Sequence, residues 1–140
     1  MFAGPEDDAI NLVRRLLLAE GARDLRTIYA LLDPEVVFEM PFAPSGFSTI
    51  HGRSALLDLL ASFIDADVGT YVVWSLDVSA LHLVSPGELV FAEYSAEAQT
   101  RTGAAYQQNY VAKFGIRDGR IASWREWFNP LPLDSRLPNG

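Results

Sequence analysis

The sequence predicts an α+β fold in which helices come first and an antiparallel sheet follows. Two observations carry this. Ahead of Gly69 most apolar side chains recur at helical spacing, and after it they alternate with polar ones at period two. The alternating half is cut by three turn sequences, SPGE, RTG and RDG, which join its strands as hairpins. Helices grouped before a long meander give one sheet curling around helices that cover a single face.

The first helix starts at Pro5, with Glu6, Asp7 and Asp8 complementing its positive end and Gly21 closing it. Ile10, Val13, Leu16 and Leu17 form its apolar stripe. A second helix runs from about Asp24, with Leu25, Ile28, Tyr29 and Leu32 inward, and stops before Pro34. EVVFEMPF, residues 35–42, is a short strand ended by the turn-rich APSGFS. A third helix, roughly Arg53 to Ile64, carries Leu56, Leu59, Leu60 and Phe63 on one face. In TYVVWSLDVSALHLV, Val72, Trp74, Leu76, Val78 and Ala80 alternate against Tyr71, Ser75, Asp77 and Ser79. LVFAEYSAEAQT, AYQQNYVAKFGI and RIASWREWF are the remaining strands, so the order is α-α-β-α-β-β-β-β.

A chain of 140 residues with 49% apolar content is expected to form a single domain, 1–140, with a C-terminal tail from about 131. The net charge of −7 argues against nucleic acid and anionic lipid as partners. No cysteine is present, which excludes disulfides, thiol catalysis and cysteine-ligated metal. No signal peptide and no membrane-length apolar run is visible, so the expected location is cytoplasmic. His51 and His82 are too far apart for a metal-ligand spacing, and Asp65-x-Asp67 is too small a signal. Neither metal nor cofactor is expected.

The last strand poses the functional question, because Glu126 stands among Trp124, Trp127 and Phe128. Its direction depends on hairpin register, since a slip of one residue turns every side chain over. A two-residue turn at Asp118-Gly119 sets Glu126 beside Val111. A three-residue loop with Gly119 left-handed sets Tyr110 opposite Glu126 and Phe114 opposite Ala122. The second register gathers Tyr106, Gln108, Tyr110, Ala112, Phe114, Ala122, Trp124, Glu126 and Phe128 on one face and is preferred, because it separates apolar from polar residues. Glu126 is then a carboxyl on the apolar face, a costly position unless it is paired, hydrogen-bonded or protonated. A raised pKa there suits a general acid or base; a structural glutamate held by Tyr110 or Arg125 fits the residues equally well.

YQQNYVAKFGIRDGRIASWREWFNP, together with VVFEMPFAPSGF and HGRSALLDLL upstream, resembles the SnoaL-like branch of the nuclear-transport-factor-2-like (ketosteroid-isomerase-like) superfamily, with the phenazine-biosynthesis A/B group closest. The resemblance covers roughly Asp24 to Pro130. It implies a cone-shaped α+β barrel with a deep pocket lined by the inner sheet face, usually in a homodimer. It also implies isomerase, cyclase, dehydratase, epoxide hydrolase or non-catalytic binding roles, because this fold hosts all of them.

Carried over residue by residue, Glu126 matches the pocket carboxyl that acts as acid/base in the phenazine group. Glu39 in FEMP matches a pocket-facing polar position of the epoxide hydrolases. Two departures stand out: Met40 occupies the place of the ketosteroid isomerase base, and Glu93-Tyr94-Ser95 stands where the hydrolases carry Arg-x-Asp. Alternation places Glu39 opposite Val36, Phe38, Met40 and Phe42, on the polar side. His51 lies at the pocket-mouth end, where a lone histidine is more often structural than catalytic. Tyr94, Tyr106, Gln108, Tyr110, Trp124 and Phe128 are the expected pocket lining.

The leading expectation is a cofactor-independent isomerase, cyclase or dehydratase of secondary metabolism, acting on a small hydrophobic ketone-like or polyketide-like metabolite. Glu126 would move the proton, and Tyr110, Tyr94 or His51 would polarise an oxygen. A non-catalytic small-molecule binder is the alternative, and an epoxide hydrolase using Glu39 with Glu126 comes third. A homodimer through the outer sheet face is expected around Trp127, an indole set beside Ser123 and Arg125.

Overall fold

A computed structural model of the chain describes residues 5–44 and 49–131. The tail expected from about 131 thus lies, apart from Leu131, outside the described residues, as does most of the APSGFS turn. Helices α1 (Pro5–Gly21), α2 (Leu25–Leu31) and α3 (Arg53–Ile64) pack on a six-stranded sheet. Its strands are β1 (Leu32–Glu39), β2 (Ile50–His51), β3 (Tyr71–Ser85), β4 (Leu89–Thr100), β5 (Ala105–Arg117) and β6 (Arg120–Phe128). They lie in the order β2-β1-β6-β5-β4-β3.

This is the expected α+β cone, with two refinements. The sheet is curved but does not close into a complete barrel, its edges being β2 and β3. The two-residue β2 adds one element to the expected order: it pairs antiparallel with β1 at Val37–His51 and Phe38–Ile50. Such a short edge carries too few residues to show alternation in sequence.

The helices follow the periodicity. In α1, Ala9, Leu12, Val13, Leu16 and Leu17 are buried along one stripe. Asp24 caps α2 by accepting from the Thr27 backbone N–H at 3.1 Å. That helix ends before Leu32, which opens β1 fully buried instead of closing the helix. Pro34 is tolerated in β1 because the pairing with β6 is irregular between Leu32 and Val37, where a missing N–H costs no ladder bond. In α3, Leu56, Leu60 and Ile64 turn inward, with Leu59 and Phe63 beside them at the rim of the core.

Two strand irregularities decide which side chains face inward. In β3 the pairing shifts between Tyr71 and Val73, so Tyr71 is buried on the same side as Trp74, while Val72 and Val73 are exposed. The expected alternation set Tyr71 against Trp74, and the bulge overturns that. A second shift between Val78 and Ala80 hands the inward positions on to Leu81 and Leu83.

The second decisive irregularity is in the β5–β6 hairpin. Its turn has two residues, with Arg117 opposite Arg120 and positive φ at both Asp118 (52°) and Gly119 (73°), the geometry of a type I′ turn. The three-residue loop preferred from the sequence is therefore wrong. A register shift follows at once: Ile116 faces Ile121, but Gly115 faces Ser123, leaving Ala122 as an extra residue in β6. Gly115 suits the site, since its N–H donates to Ser123 Oγ at 3.1 Å and an added Cβ would lie 2.3 Å from that oxygen. The bulge restores the face that the loop reading expected, with new partners: Glu126 lies opposite Ala112, Trp124 opposite Phe114, and Tyr110 opposite Phe128. Ala122 itself leaves the inner face, and Ile121 is buried in its stead.

Candidate functional site

The inner face of the sheet and α3 enclose a cavity of about 80 Å³. Phe38, Phe63, Tyr71, Trp74, Tyr106 and Tyr110 supply most of its aromatic wall, and Phe128, Met40 and the aliphatic side of α3 complete it. The rings support one another. Tyr71 stacks on Trp74 at 5.6 Å and on Tyr106 at 5.3 Å, and Tyr94 stacks on Tyr110 at 5.1 Å. The loop after α3 is tied to the β4–β5 turn by Arg101, which donates to the carbonyls of Gly69 at 2.9 Å and Asp67 at 2.7 Å.

Two carboxyls line this wall, Glu126 from β6 and Glu20 from the last turn of α1. No lysine, arginine or histidine is among the described lining residues. Glu126 is buried, 8% exposed, and accepts a hydrogen bond from the Tyr94 hydroxyl through Oε2. Burial pushes its pKa up to about 7, and the Tyr94 hydrogen bond opposes part of that rise. Glu20 is 7% exposed, and its Oε1 has no hydrogen-bond partner among the described residues. Burial, and then the charge of Glu126, hold Glu20 well above the ordinary carboxyl range. Burial and the nearby Glu126 charge likewise raise the phenols of Tyr94 and Tyr110, so both are neutral donors.

Glu20 is placed by local packing. It continues the α1 stripe four residues after Leu16 and three after Leu17, and so turns inward. The helix end is fixed on β3, where Trp74 Nε1 donates to the Glu20 carbonyl at 3.0 Å and Gly21 lies against Leu76. The sequence reading does not single out Glu20. The signal was its position on the stripe, where a charged residue is as anomalous as Glu126 is on its strand.

The structure brings together only part of the expected site. Tyr106, Tyr110 and Phe128 line the cavity with Glu126. Tyr94 stands one layer behind, bonded to Glu126, so the hydrogen-bond partner expected in Tyr110 is Tyr94 instead. Trp124 is buried between Phe38, at 5.0 Å, and Phe114, at 5.3 Å, and belongs to the core rather than the lining. Gln108 is buried beside the cavity; its Nε2 donates to the Asn129 carbonyl at 2.6 Å and to the Tyr106 hydroxyl at 3.3 Å. Its Oε1 accepts from Asn129 N–H at 3.2 Å, so it anchors the end of β6.

Two expected catalytic residues fall elsewhere. His51 is exposed on the edge strand β2 and does not line the cavity, because its pairing with Val37 turns it outward. Glu39 lies on the outer face, where Arg125 Nη2 donates to its Oε1 at 3.1 Å and its Oε2 at 3.2 Å. Glu39 and Glu126 therefore point to opposite faces of the sheet, and the flanking arrangement considered for epoxide hydrolysis is not formed by this pair. Among the described residues no group of three potential metal ligands is brought together, and no helix is long and apolar enough to cross a membrane.

The curved sheet wrapped on three helices is the fold of a solved nuclear-transport-factor-2-like protein of Burkholderia xenovorans, which superposes with a TM-score of 0.71 at 18% identity, covering 95% of this chain and 98% of that one. The chain belongs to the SnoaL-like domain family, which it matches over residues 13–124. It is 31% identical over 122 residues to an uncharacterized PhzA/B-like protein, PA3332, of Pseudomonas aeruginosa, covering 86% of this chain and 82% of that one. It is 27% identical over 133 residues to the uncharacterized protein YesE of Bacillus subtilis, covering 94% and 88%. A crystal structure from Bacillus subtilis, described only provisionally as an isomerase, superposes with a TM-score of 0.77 at 26% identity, covering 95% of this chain and 94% of that one.

Proposed function

We propose that this protein is a cofactor-independent acid/base enzyme of isomerase, cyclase or dehydratase type. Its substrate is a small hydrophobic ketone-like or polyketide-like metabolite, held in the cavity with Glu126 as the proton-transfer group. One observation carries the reading: Glu126 faces an apolar cavity with no cation among its described lining residues and has its pKa pushed up to about 7. A carboxyl built only to support the fold gains nothing from that placement, since burying it uncompensated costs stability. A base whose pKa lies near the working pH is half available and still strong enough to take a proton from carbon. The aromatic walls suit a flat apolar molecule. Membership of a fold that hosts several chemistries is compatible with this and selects none of them.

The test is proton exchange at carbon. Small cyclic ketones in D₂O should exchange their α-hydrogens faster with the protein present, followed by NMR. Glu126→Gln keeps the shape of the side chain and removes its titrating proton; it should stay folded and lose roughly 10²–10⁴-fold of that acceleration. Ketones that bind without exchanging would point to the non-catalytic binding module instead. An unchanged rate in a folded Gln variant would remove Glu126 from the chemistry.

The outer face supports a second part of the proposal, a homodimer. Trp127 lies there, stacked on Phe91 at 6.5 Å, with Arg125 5.9 Å above its ring and the 42% exposed Val111 opposite it. An apolar strip rimmed by charged pairs fits an interface between copies. Sedimentation velocity at micromolar concentration should give a dimer, and a monomer there would end this part of the reading.

A further inference from the structure

We propose that the Glu20 carboxyl is a second catalytic group of this cavity, giving its proton to an oxygen of the bound molecule while Glu126 works at carbon. The inference rests on the acid/base reading of the cavity and adds a residue from a helix that the last-strand motif does not reach.

Geometry carries it. Glu20 lines the same cavity as Glu126, is more than nine-tenths buried, and has a carboxyl oxygen with no partner among the described residues. A buried polar atom left unmatched in a cavity wall is costly, and a hydrogen-bonding group on a ligand removes that cost. Of the competing hydroxyls, that of Tyr94 donates to Glu126, and those of Tyr106 and Tyr110 lie 3.5 Å apart and share one hydrogen bond, which uses one of their two protons. His51 is outside the cavity. Burial and the Glu126 charge both favour the neutral, protonated form of Glu20, a stronger acid than the phenols around it.

No cationic side chain is among the described lining residues, which favours a neutral acid of this kind as the donor. Enolisation by Glu126 alone would place an enolate oxygen in an apolar cavity with no positive charge among its described lining residues, an expensive arrangement. With Glu20 the step balances without new charge. The Glu126 carboxylate takes the α-proton, and the C–H electron pair becomes the C=C bond of the enol. The carbonyl π pair moves to oxygen, which takes the proton of Glu20. The products are a neutral enol, protonated Glu126 and the Glu20 carboxylate. One negative charge is present before and after, and it has moved from one carboxyl to the other. Return of a proton to carbon from Glu126, and of the enol proton to Glu20, restores the site.

Cyclohexanone exchange in D₂O supplies the test, with Glu20→Gln, Tyr110→Phe and Glu126→Gln measured beside the unaltered protein. Glu20→Gln should slow exchange by roughly 10²-fold, Tyr110→Phe should slow it less, and Glu126→Gln should remove the acceleration. Full exchange by folded Glu20→Gln with an inactive Glu126→Gln overturns the assignment of Glu20 and leaves the Glu126 reading standing. Full exchange by both variants, or none by the unaltered protein, overturns the acid/base reading itself. Should Glu20→Gln fail to fold, ¹³C-carboxyl NMR of the glutamate-labelled unaltered protein decides. A glutamate besides Glu126 should still resonate as the acid well above the ordinary carboxyl range; ionisation of every glutamate but Glu126 within that range would show that Glu20 has no proton to give.

Discussion

Arg125 and Glu126 are neighbours in one strand, yet they belong to different electrostatic worlds. Arg125 points to the outer face and forms a forked pair with Glu39 from β1, with both side chains more than a third exposed to water. Glu126 points to the inner face, where it meets a tyrosine hydroxyl, aromatic walls and a second buried carboxyl, and no cation among the described residues. Strand alternation alone separates the two. The outer carboxylate is charged, paired and solvated. The inner one is held near neutrality because the water that would stabilise its charge has been excluded. A pleated strand can thus carry a structural ion pair and a proton-transfer group at consecutive positions, provided that its register is fixed.

The contrast is sharpened most by measuring stability against pH. The folded-state pKa of Glu126 is raised from the ordinary 4.5 to about 7. Its proton therefore favours the folded state: the contribution is fully present below about pH 4.5 and is lost as pH rises through about 7. A shift of this size corresponds to about 3 kcal/mol, and Glu20 acts in the same direction. Urea unfolding between pH 5 and 8 should show the unaltered protein losing stability relative to Glu126→Gln, with the variant the more stable of the two at the upper end. Parallel curves would mean that the inner carboxyl is not held uncharged, and the comparison would collapse.

How much of this contrast could be read in the sequence depends on how far each feature travels along the chain. The α1 helix and the strand β4 were legible to their ends, Pro5–Gly21 and Leu89–Thr100, because each carries its own period and its own stop. The inward direction of Glu126 was legible too, but for a reason only half right. The hairpin has a two-residue turn, and the extra residue sits at Ala122 within the strand instead of in the loop. Either place for the extra residue gives the same face, so the pattern of large and polar side chains could not tell them apart. Partners were less legible than faces, since Tyr94 reaches Glu126 from β4, 32 positions away. Glu20 was missed because a carboxylate at a helix end reads as a solvated residue unless the stripe is carried one turn further. Tyr71 was assigned to the wrong side because no residue type announces the bulge at Val72 and Val73.

The smallest expected effect lies on the outer face. Glu39→Gln removes one charge of the pair with Arg125 and leaves a side chain of the same shape, still able to accept a hydrogen bond through its amide oxygen. Water reaches both partners, so the guanidinium is not stranded without solvation. Exposed ion pairs contribute about 0–1 kcal/mol, because side-chain ordering and screening offset most of the attraction. The fork geometry and the bond from Nε at 3.4 Å place this pair toward the upper part of that range. Glu39→Gln should therefore cost under about 1 kcal/mol in urea unfolding, and less again in molar salt. It should not alter ketone exchange, since Glu39 lies outside the cavity. A loss of several kcal/mol, or any fall in exchange comparable to that of Glu126→Gln, would mean that the charge on the outer face reaches through the sheet to the inner site, and that the two faces are not electrostatically separate.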